Sequence, residues 1–193
     1  MSARLRLQDA PTAIRPTAPD DAEEQARLRQ VNRVHTAPWD PLRDESFFTV
    51  SGQRLELDLD QRAWAAGAAF AFAVLDMDEG DRLIGRVALA NVVRGPWQNA
   101  TLGYWIDAQA GGRGHATRAV GLILRYAFEH AGLHRVQPAI IPRNGASLRV
   151  AENAGFRHEG RALRYLRING VWEDHEIFAM TAEDWDARRP APR

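Results

Sequence analysis

"DAQAGGRGHATRAVGLILRYAFEH", residues 107–130, sets Gly111, Gly112 and Gly114 directly ahead of an amphipathic run. Ala116, Ala119, Val120, Ile123, Leu124, Ala127 and Phe128 recur at helical spacing on one face. Just before the glycines, "TLGYWID" (101–107) mixes β-branched and aromatic residues and reads as a strand. The order is strand, glycine turn, helix. Such a turn lets backbone N–H groups converge at a helix N-terminus, where the helix dipole favours an anion.

Two well-known glycine loops do not fit. A nucleotide-hydrolase phosphate loop needs lysine and a hydroxyl after its last glycine, and here Gly114 precedes His115 and Ala116. A dinucleotide-binding turn needs a third glycine, where this chain has Thr117, and an acidic residue about 20 positions on, which falls in "LHRV". A tight turn using the glycines only for positive φ stays open on the motif alone.

Working outward, "TAIR" (12–15) reads as an edge strand, and Pro19, Asp20 and Asp21 are start signals for a helix. Residues 35–48 read as a loop by their two prolines and aspartates, and Gln53–Ala66 as a second helix. Strands are predicted at 68–76 and 82–90, joined by the turn "MDEGD". "LHRVQPAII" (133–141) reads as a further strand, Pro142 and Asn144 introduce a shorter helix, and 155–181 holds two strands around "ING". Residues 1–10 read as loosely held and the tail, "DARRPAPR", as disordered. Helices interrupting hairpin-linked strands predict an α+β fold: one domain over 11–186, with about seven strands in a mixed, mostly antiparallel, twisted sheet and about four helices, then a disordered 187–193.

The 193 residues suit one well-packed domain. Basic and acidic residues balance at 25 each, unlike the basic footprint of a nucleic-acid reader. Cysteine is absent, which removes disulfides, thiolate metal sites and a cysteine nucleophile. "MSARLRLQDA" has no apolar signal region, and "AWAAGAAFAFAVL" (63–75) is too short to span a bilayer. A cytoplasmic protein with no membrane partner is expected; monomer and homodimer are both compatible with the composition. The six histidines show no metal-ligand spacing backed by other ligands, so no metal is expected.

Reading on from Gln109, the spacing Gln109-x-x-Gly112-x-Gly114-x-Ala116 resembles the acetyl-CoA signature of the GCN5-related N-acetyltransferases (GNAT). In that family it follows the fourth strand and opens the third helix. "NRVHTAPWDPLRDES" (32–46), "LGYWI" (102–106), "ENAGFRHEG" (152–160) and "INGVWEDHEIFAMTAEDW" (168–185) further resemble the ribosomal-protein-alanine N-acetyltransferases, RimJ above RimL. The resemblance implies acetyl transfer from acetyl-CoA to an amine, with the N-terminal α-amine of a protein such as a ribosomal protein first. A small-molecule amine such as an antibiotic or polyamine, and a non-catalytic acyl-CoA-binding regulator, are the alternatives.

That chemistry needs a diphosphate cradle, an oxyanion donor and a place for the amine proton. The backbone of residues 112–117 (Gly112, Arg113, Gly114, His115, Ala116, Thr117) would form the cradle, with Arg113 adding a charge-assisted contact. The resemblance further implies that the backbone of Trp105 and Ile106 pairs with the pantetheine. It implies that Asn144 and Ser147 line the coenzyme arm, Ser147 as a proton donor, and that Glu159 is the base. An N-cap role explains Asn144 equally well, and an ion pair with Arg157 or Arg161 is the alternative for Glu159. The family's tyrosine acid has no counterpart, since Ala151 stands there. Acceptor contacts are expected from His35, Trp39 and Glu45, with Asp174 and His175 at the same cleft. Glu56, Asp58 and Asp60 read as a solvated stripe.

Overall fold

A computed structural model of the chain describes residues 5–188. Its strands are β1 (Leu7–Asp9), β2 (Thr12–Pro16), β3 (Phe70–Asp76), β4 (Arg82–Val93), β5 (Asn99–Ile106), β6 (Arg135–Ile140), β7 (Arg157–Ile168) and β8 (Val171–Thr181). The helices are α1 (Ala22–Val31), α2 (Arg33–Thr36), α3 (Val50–Ala65), α4 (His115–Arg125), α5 (Gly145–Ala154) and α6 (Ala182–Ala187). The strands form one open sheet in the order β1-β2-β3-β4-β5-β6-β8-β7. Every pairing is antiparallel except β5 with β6.

The strand count exceeds the expected seven by β1, so the glycine turn follows the fifth strand, and the short α2 makes the helix it opens the fourth. Leu7 explains the extra strand. It pairs with Ile14 and is buried in the core, so this part of the N-terminal segment is held rather than loose. The expected loop at 35–48 contains the end of α2 and a 3-10 turn at Glu45–Phe48. At the other end, residues 186 and 187 are helical rather than disordered. Thr181 and Asp184 cap α6 reciprocally, each side chain accepting from the other's backbone N–H. Residues 1–4 and 189–193, on which the remaining expectations of disorder fall, lie outside the described residues.

Every residue of β3 is buried because both faces of the sheet are covered. Phe70, Phe72 and Val74 point into the larger core, with Val120, Ile123 and Leu124 of α4. Ala73 and Leu75 point the other way, with Leu28 of α1. Trp64, Phe70, Phe72 and Tyr126 cluster with ring centroids 4.9–5.5 Å apart, edge to face except for the tilted Trp64–Tyr126 pair. Phe72 is fully buried, a transfer worth about 1.5–3 kcal/mol. The α4 helix hands over at Tyr126–His130 to a π-helical turn.

The feature that makes a site is a fork in the sheet. The parallel β5–β6 ladder stops at the pair Leu102–Pro138. On its other side, β6 pairs with β8 at Arg135 and Val136, skips two residues, and resumes at Ala139 and Ile140. Proline has no N–H to donate, and inside a sheet it belongs at an edge or an irregularity. Pro138 sits in a strand flanked on both sides, and the two strands part there.

Candidate active site

Beyond the fork, residues 103–106 of β5 and 139–141 at the end of β6 face a cavity of about 1010 Å³. Its floor is the sheet, one wall is the glycine turn with the start of α4, and another is the start of α5. Its far end is bordered by His35, Thr36, Trp39 and Asp40 on one side and by Tyr165, Leu166 and His175 of the β7–β8 hairpin on the other. The cavity lies at the upper end of the volumes usual for ligand pockets, roughly 300–1,000 Å³, which suits a long ligand.

The turn itself is built for an anion. Gly114 is the N-cap of α4, with φ +82°, and it offers no side chain to the first-turn amides. A helix start normally engages those donors with Ser, Thr, Asp or Asn. Gly112 is also left-handed, at φ +74°, and has nothing within 4 Å of where a Cβ would stand. The N–H groups of this segment therefore face the cleft with no cap of their own, a cradle suited to a diphosphate.

Asp107 anchors the turn from below. Its carboxylate accepts from Asn32 Nδ2 at 3.1 Å and Arg82 Nη1 at 3.2 Å, and it caps the 3-10 turn at Ala108–Ala110. Burial works to raise this carboxyl, but the hydrogen bonds from Asn32, the Gln109 backbone and Arg82 hold it below its ordinary value. It therefore stays ionised as the link between α1 and the turn.

The structure sorts the residues expected at the site. His35, Trp39, Trp105, Ile106, Gly112, Gly114, His115, Ala116, Thr117, Asn144 and Ser147 all line the cavity. Gln109, Arg113, Glu45 and Glu159 do not. Arg113 turns away from the cradle: its Nη1 lies 3.0 Å from the buried Asp76 Oδ2 and 2.9 Å from Glu79 Oε1, tying the turn to the end of β3. His115 contributes backbone only. Its ring is sealed on the protein side, with Nδ1 2.9 Å from Thr12 Oγ1 and Nε2 3.4 Å from Asp76 Oδ2, and burial lowers its pKa. Trp105 likewise offers its main chain, because its indole lies under the Arg29 guanidinium, 4.2 Å away, on the α1 face. Burial lowers that guanidinium to about 10, against the attraction of Asp40.

Asn144 caps α5, its Oδ1 accepting from Ser147 N–H at 3.1 Å. Glu45 pairs with Arg33 across exposed surface. Asp174 accepts from the Arg164 N–H at 2.9 Å and holds an irregularity in β7. Asp60 is not part of a solvated stripe, since it pairs with Arg86 at 2.6 Å. Glu159 pairs with Arg135 and, at 3.0 Å, with Arg157. The Arg135 hydrogen bond is the main reason its carboxyl lies below the ordinary range, which makes it a poor proton acceptor as well as a distant one. Glu159→Gln is accordingly expected to leave turnover within about twofold of wild type, a surface-pair effect. A steady-state assay at saturating co-substrate checks this, and a loss of tenfold or more would restore the glutamate to the mechanism.

One further side chain in the cleft is absent from the residues expected there. Tyr104 lines the cleft, and its hydroxyl lies 2.6 Å from Ser147 Oγ, across the fork from β5 to α5. Burial pushes its pKa up to about 12, against the Ser147 hydrogen bond, so the phenol stays protonated and can donate. Alternation along "LGYWI" carries the signal, because Tyr104 shares a face with Leu102 and Ile106, opposite Trp105.

Among the described residues, no group of three or more His, Cys, Asp or Glu could hold a metal, and no helix is long and apolar enough to cross a membrane. Comparison with known proteins agrees with the geometry. The chain is 39% identical over 171 residues to the probable N-acetyltransferase YjcK of Bacillus subtilis (strain 168), covering 89% of this chain and 94% of the relative. The ribosomal-protein-S5-alanine acetyltransferase of Vibrio fischeri superposes with a TM-score of 0.87 at 35% identity, over 96% of this chain and all of that one. Mycobacterium smegmatis RimJ in complex with CoA-disulfide superposes with a TM-score of 0.85 at 30% identity, over 90% of this chain and 83% of that one. Residues 12–157 match the family described as the acetyltransferase (GNAT) domain. An uncapped glycine turn beside a forked sheet, in a chain matched over that length, places this protein in the GNAT family of acetyltransferases.

Proposed function

We propose that this acetyltransferase moves the acetyl group of acetyl-CoA onto the N-terminal α-amine of a protein, a ribosomal protein beginning with alanine or serine first. The observation that carries the reading is the single cleft in which the uncapped turn of residues 112–117 and the open edge of β5 meet. The likeness to ribosomal-protein-S5-alanine acetyltransferase supports the choice of acceptor. Residues 11–186 act as one catalytic domain, with β1 added at its edge.

In this reading the amides of 112–117 hold the diphosphate, and the main chain at Trp105 and Ile106 pairs with the pantetheine and faces the thioester oxygen. The acyl donor brings an already activated carbonyl, so the protein's part is to place it, keep the amine close and accept a proton. Ser147, with Tyr104 behind it, stands where a hydroxyl can donate to the departing sulfur. His35 and Trp39, beside Asp40, border the end through which the acceptor enters.

The test is an acceptor panel read by thiol release: short peptides starting with alanine or serine, beside spermidine and an aminoglycoside. Turnover on the peptides is expected. Turnover confined to the small amines would replace a protein acceptor with a metabolite, and acetyl-CoA binding without turnover on anything would make the chain a sensor.

A further inference from the structure

With Glu159 outside the cleft, the amine proton needs another acceptor, and the geometry points to His175 Nε2 as the general base of acetyl transfer. The inference rests on the acetyltransferase reading above and concerns the same cleft.

His175 is 2% exposed and lines the cavity. It lies just past the fork: its neighbour Glu176 pairs with Ile140, the last residue of β6, and Ile177, two positions on, lines the same cavity. Its Nδ1 is 3.0 Å from the backbone carbonyl of Glu173. A carbonyl oxygen only accepts, so Nδ1 carries the proton and, in the neutral ring, Nε2 keeps its lone pair. Nε2 has no hydrogen-bond partner among the described residues. The Tyr165 ring packs against the imidazole at 5.7 Å, edge to face, and fixes its plane. The Glu173 side chain is drawn off to Arg143, at 2.9 Å, and does not compete for the ring. A histidine held by one nitrogen, with the other free toward a cleft, is the arrangement a proton acceptor needs.

The other titratable groups at that end are less suited. Asp40 is engaged by Arg29 at 3.2 Å. His35 is exposed, with nothing to orient it. Tyr104 stays protonated and serves as a donor.

In the step itself the amine nitrogen bonds to the acetyl carbonyl carbon as the carbon–sulfur bond breaks. The nitrogen gives one proton to Nε2, the leaving thiolate takes one from the Ser147 hydroxyl, and the imidazolium's proton returns through solvent to the Ser147 oxygen, so charge and protons balance.

The experiment compares wild type with His175→Gln and His175→Ala, using calorimetry for acetyl-CoA affinity and thiol release for turnover. Both variants are expected to bind acetyl-CoA like wild type and to lose about 10²-fold or more in kcat, and added imidazole should restore part of the His175→Ala loss. Turnover within threefold of wild type in either variant overturns the assignment. So does a loss that imidazole leaves untouched, or one that resides in acetyl-CoA affinity, since packing alone explains both. The ratio is read on whichever amine the wild-type chain acetylates, so a wrong acceptor class fails in the wild type and a wrong base fails only in the ratio.

Discussion

Gly114→Val is expected to weaken acetyl-CoA binding by about tenfold or more while the fold survives, a change of roughly 1.4 kcal/mol or above. Gly114 sits at φ +82°, where a β-branched residue is a genuine outlier, and strain of this kind costs about 1–3 kcal/mol. A Cβ there would also stand 2.5 Å from Arg118 Nη1, but that is the far end of a flexible side chain and can move. The backbone strain cannot be moved away so cheaply. Residues 111–114 are exposed, and the turn can relax by rotating its peptides without disturbing the core. Rotation takes the amides at the head of α4 off their common focus, which is the property the ligand uses. Calorimetry with acetyl-CoA, alongside a thermal melt, reads the two effects separately. Wild-type affinity in the variant would remove the turn from the binding site.

The second large effect is selectivity between amines. On a peptide that begins with alanine and carries an internal lysine, acetyl is expected almost wholly on the α-nitrogen. An α-amino group has an unperturbed pKa of about 7.7–8.0 and lysine about 10.4. Neutralising lysine at pH 7 therefore costs roughly 3–4 kcal/mol more, at about 1.36 kcal/mol per unit. For lysine to compete, the acceptor end would have to supply that difference, for instance by burying the ammonium. The charged side chains bordering it are already matched: Asp40 to Arg29, and Arg143 to Glu173. Fragment mass spectrometry locates the acetyl group. Modification mainly on the lysine would overturn α-amine selectivity and leave the acetyltransferase in place.

The parts of the fold legible in the sequence are those written in local pattern. The strand, turn and helix of 101–125 appear where alternation, glycine and helical spacing put them, and so does the shorter helix behind Asn144. The losses are long-range pairings. The position of Arg113 in the motif is visible and points to the cradle, whereas its partners Asp76 and Glu79 are more than thirty residues away. Glu159 was weighed against its near neighbours Arg157 and Arg161, and its main partner proved to be Arg135, brought alongside by the sheet. Tyr104 escapes a reading of the strand that assigns roles only to its main chain. His115 and His175 both border the cleft, yet the ring of His115 is sealed against Asp76 and Thr12, a long-range contact that local pattern does not show.

Pro138 has a thermodynamic consequence. A cleft that opens and shuts lowers apparent affinity by the fraction of molecules open at any moment. Pro138 brings no N–H to the point where the two strands part, so a ladder continued there would gain one hydrogen bond fewer. The open arrangement is favoured by that difference, and less of the ligand's interaction energy goes into prying a sheet apart.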